Sequence, residues 1–351
     1  MTRKELFLRA SRCEAVPRVP VWIMRQAGRY LPEYQAIRAH HSFLEICKTP
    51  ELAAEASLQP FRLIGVDAII VFSDILIVAE AMGMPLDVPD AGPVLSNPVR
   101  DRAAIRALRD FDPERNTKFV GDAIRTICAE AGPDVPVIGF AAAPWTLACY
   151  MIEGKTRGDI SRAKQMLREE PEIVRELLLK IADATSAYVL SQVAAGASVI
   201  QLFDTWAGEL STEQYREFEL PATHAILDSL AKTGVARTLF AKGSSLHLGA
   251  MAQTGADVLS VDWHTDLADA RRQVGDQIAL QGNVDPTILL GSREGVCAAA
   301  REAVEKTGGN GHILNLGHGI LPNTPVENAK AFVESGQSAP VAAQARAGRA
   351  I

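Results

Sequence analysis

Arg25 and Arg29, one on each side of Gln26-Ala27-Gly28, are the side chains in this sequence best suited to holding an anion. They follow an apolar run, residues 19–24, that reads as a buried strand. Gly28 between them lets the backbone turn sharply or approach a ligand with no Cβ in the way. Two guanidiniums at the mouth of a buried strand present planar forks of donors that match carboxylate or phosphate. A plain strand end with solvated arginines has the same spacing. Trp22, Met24, Tyr30 and Tyr34 enclose this pair and favour a lined anion pocket.

Further polar residues stand in the same setting, just past a short β-rich run. They are Ser73-Asp74, Pro144-Trp145-Thr146 with Tyr150 beyond, Asp204-Thr205, Lys242, Asp262 with His264, Asn283 with Asp285, and Gly317-His318-Gly319. Each has a structural alternative. Asp74 opens Ile75-Leu-Ile-Val-Ala-Glu-Ala-Met82 and suits a helix N-cap, a role aspartate favours. Tyr150 lies four residues after Thr146 and reads equally as a core or rim tyrosine. Thr205 suits a cap on the next helix. His318, between two glycines, has little local shielding, which favours a functional ring over a packed one. His247, His264 and His312 are assigned to structure or surface, and Asp262 and Asp285 to capping or bracing of loops.

Other chemistries find little support. The adjacent pair His40-His41 sends its side chains apart, and no cysteine or carboxylate stands at ligand spacing, so no metal is expected. No Gly-x-Ser-x-Gly elbow supports a serine hydrolase, and Ser244-Ser245 has no elbow sequence around it. No pyridoxal, thiamine or flavin signature is visible. A substrate handled here must supply most of its own reactivity, with no cofactor.

The elements that would position these residues recur with a regular period. Eight β-rich runs, at 19–24, 67–72, 135–140, 198–203, 236–241, 257–261, 277–281 and 312–316, each precede a segment of helical character. Most are nearly continuous apolar runs, as in strands buried on both faces of a parallel sheet. Amphipathic stretches such as 172–195 and 294–307 lie between them. Eight β-α units predict an α/β fold, a single-domain (β/α)8 TIM barrel, with an open doubly wound sheet as the alternative. No Gly-x-Gly-x-x-Gly follows the first strand, which weakens the nucleotide-binding form of the open sheet. In a barrel, chemistry sits on loops after the C-terminal ends of the strands, where the polar residues above fall. The insertion at 82–116, rich in Pro, Gly and Asp, reads as an elaborated loop. The barrel is expected over residues 1–340 and a flexible C-terminal tail over 341–351, with fraying from Ser335 onward.

The chain has 351 residues, 48% hydrophobic and 22% charged, with a formal net charge of −6. That balance argues against a nucleic-acid footprint. No apolar run approaches the roughly 18 residues that cross a bilayer. The first ten residues carry too short an apolar patch for a signal peptide. The five cysteines are widely spaced and form no Cys-x-x-Cys pair, as expected of reduced thiols in a cytoplasmic protein.

Six blocks together resemble the uroporphyrinogen decarboxylase family. Pro20-Val-Trp-Ile-Met-Arg-Gln-Ala-Gly-Arg-Tyr-Leu-Pro-Glu-Tyr34 is similar to the family's first signature, and Gly139-Phe-Ala-Ala-Ala-Pro-Trp-Thr-Leu-Ala-Cys-Tyr-Met-Ile-Glu-Gly154 to its second. Phe72-Ser-Asp-Ile75, Leu202-Phe-Asp-Thr-Trp-Ala207, Leu280-Gln-Gly-Asn-Val-Asp-Pro286 and Asn315-Leu-Gly-His-Gly-Ile320 follow in order, so the resemblance runs from about residue 3 to 335. Ala142 departs from the glycine usual there, and Thr205 keeps the hydroxyl of a Ser-or-Thr position. The resemblance implies a cytoplasmic, homodimeric barrel that converts uroporphyrinogen III to coproporphyrinogen III in heme synthesis without metal or organic cofactor. It implies substrate binding by Arg25, Gln26, Ala27, Gly28, Arg29, Asp74, Tyr150, Thr205 and His318. Catalytic parts fall to Asp74 as transition-state stabiliser and to Arg25, Tyr150 and His318.

That chemistry suits the residues. Uroporphyrinogen carries carboxylates around its rim, for the arginines, and four pyrrole N–H groups at its centre. A macrocycle domed over Asp74 aims those donors at one carboxylate, each charge-assisted bond contributing roughly 1.5–3 kcal/mol. Loss of CO2 needs an electron sink, which a pyrrole protonated on the carbon beside the acetate arm provides. Asp74 then stabilises the cation as it develops. Tyr150, His318, water and an arginine all stay open as the proton donor.

Overall fold

Seven parallel strands curl into the spine of the structure, a computed structural model that describes residues 1–89, 92–155 and 159–341. The first is β1 (Ile69–Ile70), followed by a small antiparallel hairpin of β2 (Leu86–Asp87) and β3 (Val94–Leu95). The others are β4 (Val137–Ala142), β5 (Val199–Asp204), β6 (Ala236–Ala241), β7 (Val258–Val261), β8 (Ala279–Val284) and β9 (His312–Leu316). Their order in the sheet is β1-β4-β5-β6-β7-β8-β9, so neighbours in space are neighbours in sequence, with helices crossing between them. Every residue of β4, β7 and β9 is buried. Continuous apolar strands follow from that double cover.

The sheet does not end in free edges. Residues 19–24 lie between β9 and β1 and close the ring with single contacts in place of a regular ladder. Val21 pairs with Leu314 as one parallel bridge, Leu314 N–H donates to the Pro20 carbonyl at 2.9 Å, and Asp67 N–H donates to the Val21 carbonyl at 2.7 Å. Pro20 has no N–H to give a ladder, which is why the expected first strand is absent as a strand and present as a seam. The Asp67 carboxylate, fully buried, pins the seam. It accepts from the Val21 N–H at 2.9 Å and from both terminal nitrogens of Arg18 at 2.7 Å. Gly336 on the last helix (Val326–Ser338) makes room for this closure, since a Cβ there would run into Leu314 and Val21.

The interior of the ring is filled. Trp22 Nε1 donates to Gln281 Oε1 at 2.8 Å, and Gln281 Nε2 donates to Gln201 Oε1 at 3.1 Å and Ser260 Oγ at 2.9 Å. Gln281 on β8 and Gln201 on β5 are not sheet neighbours, so their bond spans the lumen. One polar layer thus plugs the barrel below its mouth.

Several sequence expectations need adjustment. The run at 67–72 pairs regularly only at Ile69–Ile70. The strands expected at 135–140 and 277–281 are displaced toward their C-terminal ends, which puts Ala142 and Asn283 inside strands. The insertion at 82–116 carries the β2–β3 hairpin and helices Arg102–Ala107 and Pro113–Asn116. Fraying from Ser335 is wrong: Ser335 and Gly336 are buried in the last helix, and Val341 is 4% exposed. Small residues there serve close packing. The rest of the tail, 342–351, lies outside the described residues.

Candidate active site

The strand ends converge at the C-terminal mouth of the barrel, and the loop after the closing seam carries the two arginines. Arg25 has a left-handed backbone (φ 63°), uncommon for a side chain of its size. The turn's strain is therefore held by Arg25 and not by Gly28. What Gly28 supplies is close approach, because a Cβ there would sit 3.1 Å from the Arg25 carbonyl. Gln26 is fully buried. Its Nε2 donates to the Ala68 carbonyl at 3.0 Å and its Oε1 accepts from the Ile23 N–H at 3.1 Å. Its side chain is thus a brace that bolts the arginine turn to the approach to β1. Ala27 is half-buried, and Arg25 and Arg29 are exposed.

Asp74 follows β1. Its Oδ1 accepts the Leu76 N–H at 2.7 Å, a tight turn over two residues. The next helix (Ile77–Ala81) has Leu76 at its N-cap, so Asp74 does not cap it. Oδ2 has no protein partner among the described residues. Burial pushes the Asp74 carboxyl up to about 6, against the Leu76 hydrogen bond and the attraction of Arg25, which both lower it.

His318, after β9, is half-buried on the other side of the seam from Asp74. Desolvation, with Arg25 and Lys242 repelling its charged form, holds its imidazole down to about 4. The ring is therefore neutral at physiological pH. Arg25 acts on both Asp74 and His318, and the arginine's stem lies against Gly319, where a Cβ would collide with it. Four rings continue from His318 as an aromatic wall. Its ring stands edge-on to Phe240 at 5.9 Å and to Trp263 at 6.5 Å, Phe240 meets Phe203 at 6.0 Å, and Phe203 meets Phe140 at 5.7 Å. Phe240 on β6 and His318 after β9 are not on adjacent strands, so their contact crosses the mouth.

Thr205 directly follows β5, and Tyr150 lies on the helix after β4 (Pro144–Glu153). Both are half-buried, and neither hydroxyl has a protein hydrogen-bond partner among the described residues. Thr205 caps nothing, since the following short helix (Ala207–Glu209) has Trp206 at its N-cap. The insertion supports Tyr150's helix from outside: Leu95 N–H donates to the Gly154 carbonyl at 2.6 Å and Val99 N–H to the Met151 carbonyl at 2.8 Å. Asp262 and Asp285 behave as braces. Asp262 accepts from the Gly243 N–H at 2.6 Å, and Asp285 caps its helix through the Thr287 N–H at 2.8 Å.

Arg25, Asp74 and His318 are linked at one mouth by contact or by charge, with Thr205 on the loop after β5 and Tyr150 on the helix after β4. Sequence reading missed the Phe140–Phe203–Phe240 wall. Its signal was available: each of these strands carries a phenylalanine close to its C-terminal end, and Phe203 and Phe240 are register partners. It also missed Gly319 as the partner of Arg25.

The family model for uroporphyrinogen decarboxylase (URO-D) matches residues 2–338. A uroporphyrinogen decarboxylase of Gloeobacter violaceus is 44% identical over 345 residues, covering 97% of this chain and 99% of its own. One of Thioalkalivibrio sulfidiphilus is 47% identical over 339 residues, covering 95% and 97%. Among solved structures, a methyltransferase from Methanosarcina mazei superposes with a TM-score of 0.80 at 25% identity, covering 96% of this chain and 98% of its own. A B12-independent methionine synthase from Shewanella, with a TM-score of 0.53 at 12% identity over 88% and 91% of the two chains, shares the fold alone.

Proposed function

The chain belongs to the uroporphyrinogen decarboxylase family, and from that premise we propose that it decarboxylates uroporphyrinogen in porphyrin and heme synthesis, as a carboxy-lyase. Each of the four acetate arms of uroporphyrinogen III becomes a methyl, giving coproporphyrinogen III. The observation that carries the reading is Asp74, a half-buried carboxylate with one oxygen bonded and one open, at an aromatic-walled mouth that also holds a neutral histidine beyond the Arg25 turn.

The macrocycle sits in that mouth with its pyrrole N–H groups on Asp74, while Arg25 and Arg29 take rim carboxylates through their donor forks. The backbone of residues 26–28 lies alongside, and the Thr205 and Tyr150 hydroxyls and the His318 ring orient one pyrrole and its acetate arm. A proton added to the ring carbon beside that arm makes a pyrrolium. The bond to the carboxylate carbon then breaks, CO2 leaves, and the bonding pair flows into the ring. The exocyclic CH2 takes a proton to become methyl, and the ring carbon returns the one it received. Asp74 is already charged and placed where the cation appears, so little reorganisation accompanies the step. Because the pyrrole is the electron sink, the reaction calls for neither metal nor organic cofactor. Tyr150 and His318 are the protein candidates for proton transfer, and Arg25's high pKa makes it a reluctant acid.

The protein works in the cytoplasm as a homodimer on this reading, with no nucleic-acid or membrane partner. No helix among the described residues is long and apolar enough to cross a membrane. The resemblance to the M. mazei methyltransferase raises a second reading, methyl transfer on the same barrel. Cobalamin- or thiol-linked methyl transfer uses zinc held by His and Cys, and no group of three or more His, Cys, Asp or Glu is arranged for a metal among the described residues. The test is incubation with anaerobic uroporphyrinogen, following carboxyl loss by chromatography. Stepwise loss of four carboxyls is expected, and unchanged substrate in the presence of folded protein refutes the reading.

A further inference from the structure

Behind the mouth lies a pair of acidic side chains that the decarboxylation does not use. Asp204, the last residue of β5, and Glu219, in a wide π-helical turn (Tyr215–Glu219), are both fully buried. No lysine, arginine or histidine nitrogen lies within 4 Å of either carboxylate among the described residues. We propose that Asp204 carries a proton on its unpartnered oxygen and that it and Glu219 act as positioning groups, setting the loop of Thr205 and the helix of Tyr150 against the substrate. The inference rests on the decarboxylase reading of the site.

The hydrogen bonds carry the argument. Glu219 accepts with both oxygens, from the Trp145 N–H at 2.7 Å and the Thr223 hydroxyl at 2.6 Å, as an ionised carboxylate does. Asp204 accepts with Oδ1 from the Thr146 hydroxyl at 2.7 Å, the Trp206 and Ala207 backbone N–H groups are directed toward the same carboxyl, and its Oδ2 is buried without a partner within hydrogen-bond distance. The proton therefore belongs on Asp204 Oδ2. The groups facing the pair are acids or neutral: Tyr215, Cys149 and, further out, Glu153 and Glu209. The one nearby imidazole, His247, stacks on Tyr215 at 4.5 Å and is itself held below its usual range by burial. Burial pushes both carboxyls up, Asp204 to about 7 against the hydrogen bonds of Thr146 and of the Trp206 and Ala207 backbone.

The same bonds reach the site. Thr146 Oγ1 also accepts the Trp206 N–H at 3.1 Å, which ties the loop after β4 to the residue next to Thr205. Thr146 stands one turn before Tyr150 on the same helix face, so its tether to Asp204 sets the rotation of that helix. Glu219 anchors the first turn of that helix through Trp145.

The experiment compares wild type, Asp204→Asn, Asp204→Ala and Thr146→Val. At neutral pH, where Asp74 is mostly ionised, the infrared spectrum of the wild type should contain a protonated-carboxyl band that Asp204→Asn loses. Asp204→Asn keeps the Thr146 acceptor and replaces the O–H with an amide, so it should decarboxylate within about threefold of wild type, whereas Asp204→Ala should not. Thr146→Val should fold and lose about tenfold or more in kcat with KM within about threefold, as misplaced positioning groups do. A wild type without the band, an Asp204→Asn as impaired as Asp204→Ala, or wild-type kcat in Thr146→Val overturns the proposal. If Asp204→Ala fails to fold, the other two variants still decide. If the wild type decarboxylates nothing, the positioning role falls with the functional reading, and the infrared band alone decides the proton on Asp204.

Discussion

Asp74 is where local structure and chemistry separate most cleanly. Asn replaces Asp in turns of this kind with little loss, so Asp74→Asn should leave the Leu76 turn intact. With its carboxyl raised to about 6, the folded chain binds this proton more tightly than the unfolded chain does. The group's contribution to stability therefore falls as pH rises from about 4 to about 6. Asp74→Asn removes that penalty, and its Tm at neutral pH should equal or exceed that of the wild type. Turnover should drop about a hundredfold or more, the scale of one lost electrostatic contact to the transition state. In the wild type, the acid limb of kcat/KM should show an apparent pKa near the 6 of the free carboxyl, absent in the variant. Wild-type turnover in Asp74→Asn would reduce Asp74 to a turn residue. Gly319 offers a second residue-scale test. A Cβ there meets the Arg25 stem, which is flexible enough to move. Gly319→Ala should keep the fold and raise KM in the same direction as Arg25→Ala, as steady-state kinetics would show; an unchanged KM in both would place the anion pocket elsewhere.

Elements carry these side chains, and the least regular one carries the most. The seam at residues 19–24 is held by Asp67 more than by a ladder, on the face of the barrel away from the site. Asp67→Ala strands the Arg18 guanidinium and the Val21 N–H, a cost of about 3 kcal/mol or more for a broken buried pair. Denaturant unfolding should show that loss while kcat at low temperature stays close to wild type. Loss of activity in a variant of unchanged stability would mean that the seam reaches the chemistry directly. The helix after β4 is the converse case: its ends are tied to the insertion and to Glu219, so Tyr150's position depends on two segments distant in sequence.

For the whole molecule, two expectations follow from the proposed function. Exhaustive chelation should leave turnover unchanged, and elemental analysis should find no stoichiometric zinc; zinc whose removal abolishes activity would favour methyl transfer. Sedimentation should give a dimer at micromolar concentration, and a stable monomer there would count against the homodimer.

The periodic apolar runs and their punctuation were enough to place the β-α units, because strands buried on both faces must be continuously apolar. The strand-end rule then put Arg25, Asp74, Thr205 and His318 on a list with Lys242, Asp262 and Asn283, since chemistry in a barrel sits on the loops at its C-terminal mouth, and the family resemblance narrowed that list. What stayed hidden depends on contacts across the ring. Nothing local marks residues 19–24 as a seam, because it is made by Asp67 and Leu314 arriving from elsewhere. Gln26 reads as a ligand contact in a signature and becomes a brace only when Ala68 is beside it. The neutral state of His318 and the raised carboxyl of Asp74 come from burial and from Arg25, charges and walls that only closure of the barrel brings together. Sequence specifies which groups are present, and their protonation is decided by the low-dielectric surroundings that the tertiary fold builds around them.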